Sequence, residues 1–137
     1  MKHKYKLAYL KMAKVFAETS EALRLKVCAM LVKEDRIISI GINGQPPGWP
    51  YEKCEDDNFE TLPTVRHAED ACLQKLWSSS EIATGSTMFV THSPCLQCAI
   101  KIVTAGIHKV VYIEDFRCDD GLKYLQDNGV KIEKIKL

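Results

Sequence analysis

The chain has 137 residues, of which 27% are charged and 46% hydrophobic, and its formal net charge is +1 at pH 7. This length and composition predict one globular domain spanning residues 1–137, with enough apolar residues for a packed core. Because the charge is nearly balanced and the lysines and arginines are scattered, we expect neither nucleic acid nor a membrane surface as a partner.

The cysteines and the apolar segments indicate a compartment. No stretch approaches the roughly 18 apolar residues of a membrane helix, and the first residues do not resemble a secretory signal. The six cysteines are therefore not expected to form a disulfide framework. Cys28 and Cys72 lie in apolar segments and are expected to pack in the core. These features predict the reducing cytoplasm.

Apolar spacing predicts four helices and five strands in the order αββαβαβαβ. In chain order the predicted elements are a helix at 5–18, strands at 27–32 and 37–42, a helix that opens at 67 and ends in the serines at 78–80, a strand at 87–91, a helix at 94–105, a strand at 110–113, a helix at 120–127 and a strand at 130–135. A tight turn at Glu34 and Asp35 joins the first two strands, and a long Gly- and Pro-rich loop follows the second. The fold class is α/β, a three-layer αβα domain with a five-stranded mixed sheet.

Two short motifs carry reactive side chains. The first is His67-Ala68-Glu69, and the second is Pro94-Cys95-Leu96-Gln97-Cys98. An imidazole and two thiols at Cys-x-x-Cys spacing form a three-ligand set for zinc, which leaves the fourth tetrahedral position to water as in catalytic sites. Both motifs are predicted at helix starts, where free N–H groups favour thiolates. The pattern matches the H-x-E…P-C-x-x-C signature of zinc deaminases that act on nucleobases.

Glu69 is expected to act as the proton shuttle of such a site. A zinc-bound water has its pKa lowered toward about 7, and a nearby carboxylate can take its proton and return it to the leaving amine. A structural zinc site is the first alternative, but only Cys54 and His92 are loose candidates for a fourth ligand. A redox dithiol is the second, and it leaves the His67 motif unexplained.

Beyond these motifs, the chain resembles the deoxycytidylate deaminases of the zinc-dependent cytidine and deoxycytidylate deaminase family. The resemblance extends from about residue 20 to the end. It is carried by the segments Lys26-Val27-Cys28-Ala29, Gly41-Ile42-Asn43-Gly44-Gln45-Pro46-Pro47-Gly48, His67-Ala68-Glu69 and Ser93-Pro94-Cys95-Leu96-Gln97-Cys98-Ala99. It implies a cytidine deaminase-like fold and hydrolysis of dCMP to dUMP and ammonia by a zinc-bound hydroxide, which supplies dUMP for thymidylate synthesis.

The resemblance also implies roles for particular residues. His67, Cys95 and Cys98 would hold one catalytic Zn²⁺, with Glu69 as the catalytic residue. The implied substrate contacts are Asn43 on the deoxyribose, the backbone of Ala68 and Ser93 on the cytosine edge, Phe116 against the base, and the cations Arg24, Lys26 and Arg117 as candidates for the 5′-phosphate.

Regulation and assembly are implied by the same resemblance. Activation by dCTP and inhibition by dTTP would act at a nucleotide site near Gly41, Asn43, Gly44 and Gly48, with Mg²⁺ accompanying the regulatory nucleotide. A homo-oligomer, such as a hexamer, is implied as well. The chain departs from the family pattern at Ala71 and Pro47, where Asn and Arg are usual. Two alternatives remain: a tRNA adenosine deaminase, and a non-catalytic zinc- or nucleotide-sensing module on the same scaffold.

Overall fold

The computed structural model describes all residues from 1 to 137, and it contains one five-stranded mixed sheet. The strands are β1 (Cys28–Lys33), β2 (Arg36–Ile42), β3 (Thr87–His92), β4 (Lys109–Glu114) and β5 (Lys131–Lys134), in the order β2-β1-β3-β4-β5. β1 runs antiparallel to β2 and β3, whereas β3, β4 and β5 are parallel. The helices are α1 (His3–Ala17), α2 (Ala68–Gln74), α3 (Leu96–Thr104) and α4 (Asp120–Asp127), and a 3₁₀ turn (Lys75–Ser78) extends α2.

Helices cover both faces of this sheet, so the predicted three-layer αβα architecture is confirmed. On one face, α1 packs Leu10 and Ala13 against side chains such as Phe89 of β3. On the other, α2, α3 and α4 enclose a second apolar cluster. The alternation of strand residues between the two clusters follows from the two-residue period of a strand. The central strands are covered on both faces, which explains their nearly continuous apolar sequences.

The predicted elements are all present, with one correction that matters for the site. The sequence predicted that the third helix begins at Pro94, but α3 begins at Leu96. Cys95 is its N-cap, with an extended backbone (φ −70°, ψ 170°), and its carbonyl accepts the Ala99 N–H. Pro94 and Cys95 therefore continue the extended chain that leaves β3. The predicted turn at Glu34 and Asp35 is confirmed, with left-handed φ values of 51° and 61°.

The carboxyl ends of β3 and β4 lie next to each other because these strands are parallel. In open α/β sheets, ligands bind outside the carboxyl ends of parallel strands. The Cys-x-x-Cys motif follows β3 directly, and the segment with Phe116 and Arg117 follows β4. No helix in the structure has both the length and the apolar character needed to cross a membrane.

Candidate active site

Two helix starts bring the predicted metal ligands together. His67 is the N-cap of α2, as Cys95 is of α3, and both have extended backbones. The His67 Nδ1 atom lies 3.3 Å from the Cys98 Sγ and 3.5 Å from the Cys95 Sγ. All three potential ligand atoms lie within 4.8 Å of one another. The structure therefore brings together three side chains whose sequence positions span 31 residues, from His67 to Cys98.

The donor set has the composition and spacing that zinc requires. Tetrahedral zinc, with Zn–N about 2.1 Å and Zn–S about 2.3 Å, separates nitrogen and sulfur ligands by about 3.6 Å. The nitrogen–sulfur distances of 3.3 and 3.5 Å are close to this value. One borderline nitrogen and two soft sulfur donors favour zinc over hard cations such as Mg²⁺. Three protein ligands leave one position for a water molecule.

The two thiols differ in acidity because one donates a hydrogen bond to the other. The Cys98 thiol donates a hydrogen bond to the Cys95 sulfur, and this bond, together with the His67 contact, lowers the pKa of Cys95 to about 4. The same hydrogen bond and burial raise the pKa of Cys98. Cys95 is therefore the more acidic of the two thiols, and coordination of a metal ion favours the thiolate form of both.

Glu69 lies one helical position beyond Ala68 and is the buried carboxylate of the site. It is 5% exposed, and burial raises its pKa to about 7, which the neighbouring His67 partly offsets. Its sequence neighbour Asp70 faces the other way, with its carboxylate 2.6 Å from the Lys101 ammonium of α3. Of these two adjacent acids, only Glu69 lines the cavity that contains His67 and Cys95.

A cavity of about 960 Å³ opens beside the three predicted metal ligands, and it is large enough for a nucleotide. Ten of the residues predicted from the sequence line it: Arg24, Lys26, Asn43, His67, Ala68, Glu69, Ser93, Cys95, Phe116 and Arg117. Cys98 is 1% exposed and does not line the cavity, but its Sγ lies 3.3 Å from the His67 Nδ1. The structure thus places two of the three predicted zinc ligands, the carboxylate and every predicted substrate contact around one space.

Ser93 joins the ends of the two central parallel strands. Its N–H donates to the Glu114 carbonyl at 2.9 Å, and its Oγ accepts the Phe116 N–H at 2.6 Å. These bonds fix Phe116 next to the Cys95 segment. The Arg117 guanidinium lies 5.4 Å from the centre of the Phe116 ring. Ser93 therefore couples the position of the predicted base contact to the metal segment.

Asn43 is largely engaged by the protein itself. Its Oδ1 accepts the Val27 N–H at 2.8 Å and the Ser20 hydroxyl at 3.0 Å. Its Nδ2 donates to the Leu25 carbonyl at 2.7 Å, which leaves one amide N–H for a ligand. The predicted contact with a sugar is limited to that N–H. The same side chain also fixes the segment that carries Arg24 and Lys26.

The glycines assigned to a regulatory site lie outside the cavity. A Cβ atom on Gly41 would be 2.4 Å from the Cys72 backbone nitrogen, so this glycine allows α2 to pack against β2. Gly44 forms an isolated bridge with Arg66, and Gly48 is an exposed turn residue with φ +83°. Close packing explains why position 41 is a glycine, and the positive φ explains position 48, so neither glycine requires a bound nucleotide as its explanation.

Four residues at or behind the cavity were missed from the sequence. Lys14, at the end of α1, and Arg66 add cationic side chains to the lining, and Glu55 adds a buried carboxylate. Gly121 packs against the Pro94 and Cys95 backbone from behind. Only Gly121 gave a sequence signal, since a glycine inside a predicted helix suggests close packing. The positions of Lys14, Arg66 and Glu55 at the cavity depend on contacts between segments that are distant in the sequence.

Comparison with known proteins identifies the family. The family described as the cytidine and deoxycytidylate deaminase zinc-binding region matches residues 3–114. The chain belongs to this family. The crystal structure of a dCMP deaminase from the cyanophage S-TIM5 in complex with dCMP and dUMP is 43% identical, with a TM-score of 0.96 over 98% of this chain and 99% of that one.

Two deoxycytidylate deaminases show how the family's members differ in length. The Saccharomyces cerevisiae protein is 30% identical over 92% of this chain but only 43% of its own length. The protein of Mycobacterium phage D29 is 32% identical over 76% of this chain and 90% of its own length. The present chain therefore spans less than half of the yeast relative and nearly the whole length of the phage relatives.

Proposed function

We propose that this protein hydrolyses dCMP to dUMP and ammonia. The observation that carries the proposal is the placement of Glu69 in one cavity with the zinc ligands His67 and Cys95. A dCMP deaminase with bound dCMP and dUMP shares 43% of the sequence and nearly the whole backbone. That similarity favours a deoxycytidine nucleotide over the other substrates of this fold.

Zinc bound by His67, Cys95 and Cys98 would supply a strongly acidified water at neutral pH. The protein's own groups perform the remaining work. Glu69 takes one proton from the attacking water and gives it to the ring nitrogen. It then carries the remaining hydroxyl proton to the amine, which leaves as ammonia. The N–H of Ala68, at the start of α2, has no acceptor within the helix and is available to the cytosine oxygen. The Ser93 carbonyl would accept from the amine.

The walls of the cavity would orient the rest of the substrate. Phe116, fixed by its bond to Ser93, would lie against the base. Arg24, Lys26 and Arg117 surround the same space and offer cationic donors for a 5′-phosphate. Asn43 would use its remaining N–H on the deoxyribose.

The resemblance also supports a set of wider roles. We propose that residues 1–137 act as one deaminase domain that supplies dUMP for thymidylate synthesis in the cytoplasm, where the six free cysteines would stay reduced. Assembly into a homo-oligomer, activation by dCTP and inhibition by dTTP are further parts of the proposal. Mg²⁺ would accompany the triphosphate of the effector. Sedimentation and turnover with each effector present test these parts directly.

The carboxylate role is tested by replacing Glu69 with Gln. We expect Glu69→Gln to retain zinc and to lose dCMP turnover by at least about 10²–10⁴-fold, because the proton shuttle is removed while the ligands stay. Asp70→Asn is the matched control, since this adjacent carboxylate pairs with Lys101 outside the cavity. Turnover by Glu69→Gln at the rate of the control would refute the assigned role.

A further inference from the structure

One buried carboxylate near the cavity has no part in the zinc chemistry. Glu55, on the long loop between β2 and α2, is 3% exposed. Its carboxylate accepts two consecutive backbone amides: the Leu23 nitrogen is 3.0 and 3.2 Å from its two oxygens, and the Arg24 nitrogen is 3.2 Å from one of them. A buried charge is costly unless it is hydrogen-bonded, so this arrangement is specific.

The segment that Glu55 contacts joins α1 to β1 without regular secondary structure. Asn43 fixes its two ends, because the Asn43 Oδ1 accepts from Ser20 and from Val27. The amides of Leu23 and Arg24 make no backbone hydrogen bond, so Glu55 is their polar anchor in the middle of the segment. The carboxylate therefore determines where the Arg24 side chain begins.

The Arg24 side chain lines the cavity that contains His67 and Glu69. Its Nη1 lies 3.7 Å from a Glu60 carboxylate oxygen, and the two side chains are 37% and 73% exposed. An ion pair this long and exposed is weak, so the guanidinium can exchange it for a ligand anion. Glu60 lies on the same turn as Glu55, and its carbonyl accepts the Asp56 N–H at 2.8 Å.

Arg24 is better prepared for an anion than the other two cations that we expect near the phosphate. Lys26 forms no ion pair in the structure, and its ammonium is a flexible point charge. The Arg117 guanidinium lies over the Phe116 ring. Only Arg24 combines a backbone fixed by a buried anion with a planar guanidinium, which matches a phosphate with two parallel hydrogen bonds.

We propose that Glu55 is a positioning residue that makes the enzyme prefer a nucleoside 5′-monophosphate over the free nucleoside. It does so by fixing the Leu23–Arg24 backbone, so that the Arg24 guanidinium binds the phosphate dianion. This inference rests on the proposed deaminase function and extends it, because it names the pair of residues that distinguishes nucleotide from nucleoside.

The test compares kcat and KM for dCMP and for deoxycytidine in the intact protein and four variants. Glu55→Gln keeps the side-chain volume but can turn an amide N–H toward the backbone donors, whereas Arg24→Ala removes the guanidinium. The double variant tests whether the two residues act together. Asp57→Asn is the matched control, because Asp57 lies on the same loop with a fully exposed side chain.

We expect Arg24→Ala to lower the preference for dCMP over deoxycytidine by about tenfold or more. Glu55→Gln should lower the same preference through the KM for dCMP, with kinetics on deoxycytidine unchanged. The double variant should be no worse than Arg24→Ala, and Asp57→Asn should match the wild-type protein. A purely structural role for Glu55 would instead reduce the turnover of both substrates together.

Three results would overturn the proposal. They are an unchanged preference in Arg24→Ala, an equal loss on both substrates in Glu55→Gln, and additive losses in the double variant. The Arg24→Ala result stands even if Glu55→Gln does not fold, since that arginine is exposed. A wild-type protein with no dCMP turnover would contradict the proposed function and this inference together, whereas turnover with unchanged preference in both single variants contradicts only the inference.

Discussion

Replacing Gly121 with Ala should weaken zinc binding, because the added methyl group would displace the backbone of Pro94 and Cys95. Gly121 lies in the first turn of α4, against the Pro94 and Cys95 backbone. An added Cβ would be 2.1 Å from the Pro94 carbonyl oxygen and 2.8 Å from the Cys95 carbonyl carbon. Ordinary contact begins at 3.4 Å, so one of these backbones must move by about 1 Å or more. Neither contact can be relieved by rotating a side chain.

A displacement of this size exceeds what a metal site tolerates. Ligand distances must stay within about 0.2 Å of their usual values, so moving the Cys95 sulfur weakens zinc binding. We expect the zinc affinity of Gly121→Ala to fall about 10–100-fold, as when second-shell supports are removed. Turnover with saturating zinc should fall by about 10²-fold, because the activated water is also misplaced.

The assay is competition for zinc between the folded protein and a chromogenic chelator, with thermal unfolding measured in parallel. Gly129→Ala is the matched control: its φ of +79° makes Ala strained, but nothing lies within 4 Å of the added atom. The control should lose about 1 kcal/mol of stability and keep its zinc affinity. Zinc affinity in Gly121→Ala equal to that of the control would refute the argument from packing.

Three further substitutions test separate parts of the structure. Cys95→Ala should lose stoichiometric zinc and the thermal stabilisation that added zinc gives the wild-type protein; unchanged zinc content, measured by atomic absorption, would refute its role as a ligand. Glu133 bonds the ammonium groups of Lys109 and Lys6 at 2.6 and 2.8 Å, which lowers its pKa to about 2 from 4.5. A carboxylate whose pKa is lowered in the folded state contributes stability above about pH 4.5, and this contribution is lost as the pH falls toward 2. Because the Glu133 side chain is 30% exposed, we expect Glu133→Gln to lower the free energy of unfolding at neutral pH by about 1 kcal/mol. The difference from the wild-type protein should shrink in acid denaturation curves. Asp35→Gly should raise the urea midpoint by relieving the left-handed φ of 61°, worth about 1 kcal/mol, and a lower midpoint would contradict that reading of the turn.

The clustering of His67, Cys95 and Cys98 could be predicted from the sequence because the motifs that carry them are local. The Cys-x-x-Cys spacing places two sulfurs at one helix start. At the other helix start, His67 and Glu69 are two residues apart, so a metal ligand and a carboxylate base lie close together. The alternation of helices and strands likewise predicted the three layers, since hydrophobic periodicity is a local property. The error at Pro94 arose because a proline suits the first turn of a helix, whereas here the extended backbone of Cys95 delays the helix.

The support around the site could not be predicted because it depends on contacts between distant segments. Glu55 contacts Leu23 and Arg24 about 30 residues away, and nothing in its acidic surroundings distinguishes a buried carboxylate from an exposed one. Gly121 meets the Cys95 backbone only because α4 packs on α3. Asn43 was predicted to contact the sugar, yet most of its hydrogen bonds hold the segment between α1 and β1.

The central claim is that this protein deaminates dCMP, and substrate turnover tests it most directly. Purified protein with bound zinc would be incubated separately with dCMP, dCTP, deoxycytidine and a tRNA anticodon stem, and ammonia release would be followed. The account predicts release from dCMP, with deoxycytidine a poorer substrate and the tRNA stem inert. Release from the tRNA stem alone, or no release from dCMP even with dCTP present as activator, would contradict it.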